Sequence, residues 1–424
     1  MKKCLTTSLT ALALATAAQA QDVKVDALLI AWGTQMMDSN LRLNGTPTPQ
    51  TAAIPQKLSY YGLGGTAGTG SVNPYNENGF SIRRSEIYVA AKITDDITAN
   101  VMFDPNQPTP ILFDAFITWK ASDAIEVKMG QFKPVGYESS NVAAADLLFT
   151  DRAQVIRAMT DYRDRGVQAA LTFGDKEFNT RVSAGVYNGD TSRTNDGNAQ
   201  KDFVLRADFA ITTVHKFGIY MAEGTTNKAD KTAASTQAAA FGAASATNLA
   251  PNNAEIFDNK DKTTTNGVYY YFNQGPWHAD VEFVEGLIGR RGAAFLVAAN
   301  GAGRQHLDQK FRGYYLTGAY TLGHNIFRLR YDLMNYNQGD KWYTTYNPYK
   351  ESAPGVARTD GGDYTPKYTE ITLGYTYAFK PEMVRKANIK LDYIRRSKNF
   401  LAPRTGQTGE QGGDSFVAAY QVWF

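Results

Sequence analysis

The sequence predicts an all-β protein, a transmembrane antiparallel β-barrel of about 16 strands. Three features indicate this fold: polar and apolar residues alternate along segments of roughly eight to twelve residues, aromatic residues lie at the ends of the apolar stripes, and short and long connections alternate. Hydrophobic residues make up 43% and charged residues 20% of the 424 residues, as in folded proteins. After residue 20 no run of about 18 apolar residues occurs, which excludes a helical membrane span.

The alternation places the strands. In the segment 326–335, Phe327 and Leu329 share one face and Arg328 and Arg330 share the other, because successive side chains point to opposite faces of a strand. The predicted strands are 23–32, 80–93, 97–104, 112–120, 125–132, 165–173, 178–188, 202–211, 214–223, 266–273, 277–285, 311–322, 326–335, 368–379, 388–395 and 415–424. Their even number is what a single-chain bacterial barrel needs in order to close.

The connections between these strands are short and long in turn. The short turns are 94–96, 121–124, 174–177, 212–213, 274–276 and 323–325. The long connections include 33–78, 133–164, 189–201, 224–265, 286–310, 336–367 and 396–414. Short periplasmic turns and long external loops are typical of outer-membrane barrels, so both chain ends are expected on the periplasmic side.

The first 20 residues are predicted to be a signal peptide. Two lysines open the chain, an apolar stretch follows at 9–18, and Ala18-Gln19-Ala20 matches the small-residue pattern of a cleavage site. The mature barrel domain is therefore expected to span 21–424. At the other end, apolar residues alternate through a last strand that finishes on Phe424, which resembles the assembly signal of bacterial outer-membrane proteins. The expected location is the outer membrane.

Charge and cysteine content exclude several functions. The net charge of +3 falls to +1 without the two signal lysines, and no run of like charge marks a nucleic-acid surface. The single cysteine, Cys4, lies in the predicted signal, which excludes thiol chemistry and disulfides in the mature chain. The four histidines are scattered, and the acidic clusters at 258–261 and 360–363 lack EF-hand spacing, so we expect no metal and no cofactor.

Several motifs resemble one protein family. They are, in chain order, 80–84 (FSIRR), 114–119 (DAFITW), 130–134 (GQFKP), 146–149 (DLLF), 163–167 (RDRGV) and 185–189 (GVYNG). Together they resemble the phosphate-selective porin O and P family, most strongly over 79–211. The resemblance implies a homotrimer of 16-stranded barrels in outer-membrane lipid, with the third loop, here 133–164, folded into the lumen. It also implies diffusion of small anions, phosphate in some members.

Arg84 is the first candidate for anion contact. The alternation of its strand puts Arg84 on the lumen side and leaves Arg83 near the external end, facing a loop or a subunit interface. A guanidinium in a narrow channel attracts phosphate, because its fork of donors matches two oxygens. The alternative is a salt bridge from Arg84 to Glu86 or to the neighbouring Asp114, which is also expected to line the pore.

The expected constriction loop carries further candidates. Its basic residues Lys133, Arg152, Arg157 and Arg163 could line a narrow opening and replace part of the hydration of an anion. Five acidic residues in the same loop balance them, so the charges could instead pair and hold the loop to the wall. Arg328 and Arg330 are expected on the lumen wall among other charges of both signs.

The sequence therefore predicts a passive porin for small hydrophilic solutes, with anions such as phosphate as the expected cargo. Three alternatives stay open. The channel could be a general, non-selective porin, the barrel could be an outer-membrane enzyme, or it could be an adhesin with a blocked lumen. For an enzyme, no catalytic cluster of three residues is visible in the sequence.

Overall fold

A computed structural model describes most of the barrel. The described residues are 22–37, 79–106, 111–175, 177–189, 201–225, 262–288, 309–335, 338, 351–353, 356–357, 365, 367–397 and 414–424. The predicted signal peptide lies outside them, as do large parts of the long connections.

Sixteen antiparallel strands form a closed barrel. Its strands are β1 (Asp22–Met36), β2 (Gly79–Lys92), β3 (Ile97–Asp104), β4 (Ile111–Lys120), β5 (Ile125–Phe132), β6 (Asp164–Gly174), β7 (Phe178–Tyr187), β8 (Asp202–Ile211), β9 (His215–Thr225), β10 (Lys262–Gln274), β11 (Trp277–Ile288), β12 (Gln309–Leu322), β13 (Asn325–Asn335), β16 (Lys367–Ala378), β17 (Ala387–Arg396) and β18 (Ser415–Trp423). Two short strands, β14 (Glu351–Ala353) and β15 (Val356–Ala357), form a separate hairpin.

The first and last strands close the barrel. β1 pairs with β18 from Leu28 opposite Trp423 onward, and Phe424 and Ala27 exchange two backbone hydrogen bonds of 2.6 and 3.0 Å. Every barrel strand therefore has two neighbours, so no edge is left with unpaired amides, as a lipid environment demands. The predicted fold class is confirmed.

The two faces of each strand differ as the sequence predicts. Phe327 and Leu329 are each 51% exposed on the outer face of β13, whereas Arg328 and Arg330 are buried inside. Near the short turns the outer surface carries the exposed rings of Trp119 and Trp277, in keeping with an interfacial aromatic belt.

The strand ends deviate most where polar residues continue the pairing. β10 begins at Lys262, before the predicted start at 266, and Lys262 lies opposite Thr225 and forms a 2.7 Å salt bridge with Glu223. Backbone hydrogen bonds extend a strand beyond its apolar stripe without needing apolar side chains, so hydropathy alone makes such strands too short.

The connection between β5 and β6 lies inside the barrel. It contains helices α1 (Tyr137–Asn141) and α2 (Gln154–Met159), with a 3-10 turn at Ala144–Asp146 between them. We call residues 133–164 the inner loop. Across the described ranges, no helix has the length and apolar character needed to cross a bilayer.

Part of the barrel interior is filled by apolar side chains. On one side, Val155 and Ile156 of α2 are fully buried in a cluster with Tyr315, Met334 and Tyr368. The inner loop supplies the apolar partners of this cluster, and alternation along the strands does not reveal them.

A second apolar cluster lies where the first and last strands of the barrel, β1 and β18, meet. Leu28, Ile30 and Trp32 point inward from β1 and pack with Ala144 and Ala145 of the inner loop. The inner loop is thus held by two small hydrophobic cores, one on each side of the lumen.

Candidate functional site in the barrel lumen

Carboxylates of the barrel wall accept hydrogen bonds from backbone N–H groups of the inner loop. Glu282 of β11 accepts hydrogen bonds from the N–H groups of Tyr137 (2.7 Å) and Glu138 (3.0 Å), at the start of α1. Asp332 of β13 accepts hydrogen bonds from the N–H groups of Gln154 and Val155 at the start of α2. Asp392 of β17 accepts one from the N–H of Thr150 at 2.7 Å. Because the first N–H groups of a helix have no partner within it, Glu282 and Asp332 act as caps supplied by the wall.

Wall cations bind the carbonyl groups of the same loop. Arg206 of β8 donates to the carbonyl of Gly136 at 2.9 Å, and Arg330 of β13 donates to that of Asp151 at 2.9 Å. Lys390 of β17 donates to a third loop carbonyl at 2.5 Å. Buried backbone groups need such partners, so the inner loop depends on side chains from widely separated strands.

Arg84, Arg163 and Asp114 of the predicted set lie in ion pairs. Arg84 Nη1 is 2.7 Å from Glu86 Oε1, with both side chains largely buried. Arg163 Nε is 2.7 Å from Asp114 Oδ1, and its guanidinium carbon lies 4.4 Å from the ring centre of Phe113. For Arg84, the geometry is that of the salt-bridge alternative.

The remaining loop cations also contact acids. Lys133 pairs with Asp161, and Arg152 Nε lies 3.5 Å from the same carboxylate. Both cations hold the pKa of Asp161 below its ordinary value, against the effect of burial. Arg157 Nη2 lies 3.7 Å from Glu370 of β16.

Arg328 and Arg330 of β13 are paired as well. Arg328 Nη2 is 2.8 Å from Asp392, and Arg330 Nη2 is 3.2 Å from Glu370. The guanidinium carbons of both residues also lie within 5 Å of the ring centre of Phe149, a residue of the inner loop. All eight predicted residues thus lie beside opposite charges.

Arg83 contacts a loop, one of the two surroundings expected for it, but it does so on the inner side of the barrel. Its Nη2 atom lies 2.7 Å from Asp151 of the inner loop, so the side chain points into the barrel rather than to the outside. The pairing of β1 with β2 changes register between Ile30 and Ala31, which leaves Arg83 without a residue opposite it. Such a β-bulge turns two consecutive side chains toward one face, and strict alternation cannot reveal it.

Glu138 of α1 is a buried carboxyl with an altered affinity for protons. Burial raises its pKa from 4.5 to about 8, although nearby Arg330 and Arg152 act in the opposite direction. Its Oε2 atom accepts a hydrogen bond from the N–H of Ala153, just before α2. The carboxyl is therefore neutral at pH 7 while it links the two helices.

The raised pKa makes stability depend on pH. Because the folded state binds this proton more tightly than the unfolded chain, the stabilisation is full below about pH 4.5 and is lost as the pH rises to about 8. We expect the free energy of unfolding in detergent to fall over this range by an amount on the order of a few kcal/mol, and the unfolding midpoint to fall with it. Glu138→Gln should flatten the dependence, and an equal slope in both proteins would show that another group causes it.

An open chamber lies beside the inner loop among the described residues. Its volume is about 290 Å³, and strands β5 to β10 form its outer wall. The lining residues are Lys128, Phe132, Lys133, Pro134, Ser140, Asn141, Gln168, Asn179, Arg181, Ser183, Arg206, Asp208, Phe209, Ala210, Lys216 and Tyr269. Several of them lie within a few residues of the short turns, so the chamber occupies the half of the lumen near those turns.

The chamber lining is strongly basic. Arg181 is paired with Glu126 at 2.7 Å, but Lys128 and Lys216 have no carboxylate within ion-pair distance among the described residues. Instead, the ammonium of Lys128 lies 4.8 Å from the ring centre of Phe116, and that of Lys216 lies 5.3 Å from the ring centre of Tyr271. The sequence places both lysines on the inner face, but it does not distinguish them from the paired wall charges.

Metal ligands are not grouped in this part of the chain. No set of three or more His, Cys, Asp or Glu side chains among the described residues is arranged to hold a metal ion. The charges around the inner loop are opposed in sign, and their arrangement is that of ion pairs.

Comparison with known proteins points to one class of channel. The sequence model of a family described as phosphate-selective porin O and P matches residues 69–404. No curated protein sequence matches this chain.

Solved structures share the fold at low sequence identity. The outer-membrane channel DcaP of Acinetobacter baumannii has 11% identity and a TM-score of 0.55, with 95% of this chain and 97% of that chain covered. Salmonella typhi OmpF in complex with daunomycin has 9% identity and a TM-score of 0.53, covering 96% and 99%. Vibrio cholerae OmpT in a trimer form has 10% identity and a TM-score of 0.51, covering 95% and 99%.

Proposed function

Because the chain belongs to the phosphate-selective porin O and P family, we propose that this outer-membrane channel carries small hydrophilic solutes passively and prefers anions, phosphate among them. The channel is proposed to work as a homotrimer, supported by the trimer form of OmpT, which shares the fold. Export would remove the signal peptide 1–20, and amino-terminal sequencing of the protein from outer membranes would test the cleavage site.

The basic chamber carries the proposal of anion preference. Elsewhere around the inner loop, cations and acids neutralise one another, whereas Lys128 and Lys216 face the chamber without a nearby carboxylate among the described residues. Fixed positive charge in a confined aqueous space raises the local concentration of anions and lowers that of cations. The chamber therefore biases diffusion without any chemical step.

The inner loop is proposed to be the constriction. Its contacts extend from β2 through β8, β11 and β13 to β17, so it occupies much of the cross-section. The eight residues that the sequence singles out are proposed to line and fix this constriction, chiefly through their ion pairs. The solute path then runs between the loop and the wall formed by β5 to β10.

Removing the two unpaired lysines tests the preference for anions. In the double variant Lys128→Gln, Lys216→Gln we expect the anion-to-cation permeability ratio to fall several-fold, because two fixed charges leave the chamber. Reversal potentials in a salt gradient across planar bilayers measure this ratio directly.

Lys24→Gln is the matched control. Lys24 lies on β1 near the same end of the lumen, but it is paired with Asp26 at 2.8 Å and does not line the chamber. It should leave the ratio nearly unchanged. Equal effects from the control and the double variant would refute the chamber as the source of selectivity. A wild-type channel without any preference would support the general porin instead.

A further inference from the structure

The chamber contains more than positive charge. Besides its cations it presents the side-chain amides of Asn141, Gln168 and Asn179 and the hydroxyl of Ser183. An inorganic oxyanion can use the N–H donors of these amides, but inorganic phosphate near neutral pH keeps at most about two O–H groups, on the same small anion that faces the cations, to donate to their carbonyl oxygens. A ligand with hydroxyl groups can use both ends of each amide.

Two of these amides are available to a solute. Asn141 lines the chamber, is exposed and accepts one hydrogen bond from the neighbouring Ser140 hydroxyl, whereas no hydrogen bond of its NH₂ group is found among the described residues. Asn179 lies near the start of β7, and no hydrogen bond of its side chain is found among the described residues. Polar groups without protein partners at a chamber wall are the ones that hydrate the space or bind its occupant.

The size of the chamber points the same way. Its volume of about 290 Å³ lies near the lower end of the range for sites that hold small organic molecules, about 300 to 1,000 Å³. A tetrahedral oxyanion of five heavy atoms fills a small part of that space. Phe132 and Tyr269 add apolar surface to the lining, against which the C–H face of a carbon skeleton can pack.

We propose that the chamber is a binding site for hydroxylated organic anions, in which a phosphate or carboxylate group lies against Lys128 or Lys216 and the hydroxyl groups bond Asn141 and Asn179. A sugar phosphate and a sugar acid both have this chemistry. The inference rests on the proposed function, since it needs an open channel that admits anions.

Ion-current block tests the inference in single channels of the complete trimer in potassium chloride. Glucose 6-phosphate and glucuronate should each interrupt the chloride current in a concentration-dependent way. Inorganic phosphate and glucose at the same concentrations should do so about tenfold more weakly, because each satisfies only part of the lining. Glucuronate acting without glucose 6-phosphate would limit the site to carboxylates and overturn the shared chemistry.

A pair of variants separates the amide contribution from charge. Asn179→Leu removes an amide without changing the charge of the chamber and should weaken the block by glucose 6-phosphate about tenfold. Asn100→Leu, on the inner side of β3 outside the chamber lining, is the control and should leave the block by glucose 6-phosphate unchanged.

The outcomes distinguish this inference from the proposed function. Equal block by inorganic phosphate and glucose 6-phosphate, or no effect of Asn179→Leu, would overturn the inference while leaving the anion channel intact. Equal block by glucose would overturn the role of the anionic group. A channel without anion preference would instead refute the proposed function.

Discussion

Replacing residues 138–160 with a short Gly-Ser linker is expected to raise the single-channel conductance several-fold. The deletion removes both helices and the apolar residues that fill the interior, including Val155 and Ile156. Conductance follows the open cross-section, so the wall of the barrel would then set the limit. Planar-bilayer recordings measure the change, together with a weaker dependence on solute size in liposome swelling.

A deletion of equal length at 230–252 is the control. This segment lies outside the described residues and belongs to a long connection, and its loss should leave conductance close to that of the wild type. A loop-deleted channel with unchanged conductance would refute the inner loop as the constriction. The deletion also exposes Leu28, Ile30 and Trp32 to water, so the variant should unfold at a lower temperature.

Arg328→Met is expected to destabilise the barrel by about 3–5 kcal/mol. The side chains of Arg328 and Asp392 are both fully buried, with 2.8 Å between Nη2 and Oδ1. Removing the guanidinium leaves the carboxylate buried and short of its ionic partner, although it still accepts a hydrogen bond from the N–H of Thr150. Thermal unfolding in detergent, followed by the loss of the compact form on unheated gels and by circular dichroism, measures the effect.

Two further variants show whether burial is the cause. In Arg328→Met, Asp392→Leu no unpaired charge remains, so much of the lost stability should return. Arg312→Met breaks the pair with Glu285, whose side chains are 51% and 41% exposed, and should cost less than about 1 kcal/mol. A loss as large for Arg312→Met as for Arg328→Met would contradict the role of burial.

The strands of this barrel could be predicted because their signal is local. A lipid-facing residue must be apolar and its neighbour in the strand faces water, so apolar and polar residues alternate along strands such as β13 and the alternation is visible in the sequence. The short turns are equally local: Gly275 and Gly323 have φ angles of +58° and +56°, which the tight hairpins require and which glycine adopts at little cost.

The candidate site could be predicted only in part, because its partners are distant in sequence. Composition shows that the inner loop has balanced charges, but Arg157 and Glu370 meet only through the path of the loop across the lumen. Lys128 and Lys216 differ from the paired wall charges because no carboxylate of the described residues lies within ion-pair distance of them. Sequence alone does not show this, because it depends on the positions of all the neighbouring strands. The bulge at Arg83 shifts a register by one residue, for which hydropathy carries no signal.

The attachment of the inner loop has a consequence for assembly. Glu282, Asp332 and Asp392, which receive its amide hydrogens, all follow it in the chain by more than a hundred residues. During synthesis and export the segment therefore emerges long before its partners exist, and it cannot adopt its final shape alone. The inner loop can therefore reach its final conformation only after the last strands have paired with the first. A loop in that conformation indicates that the barrel is completely inserted.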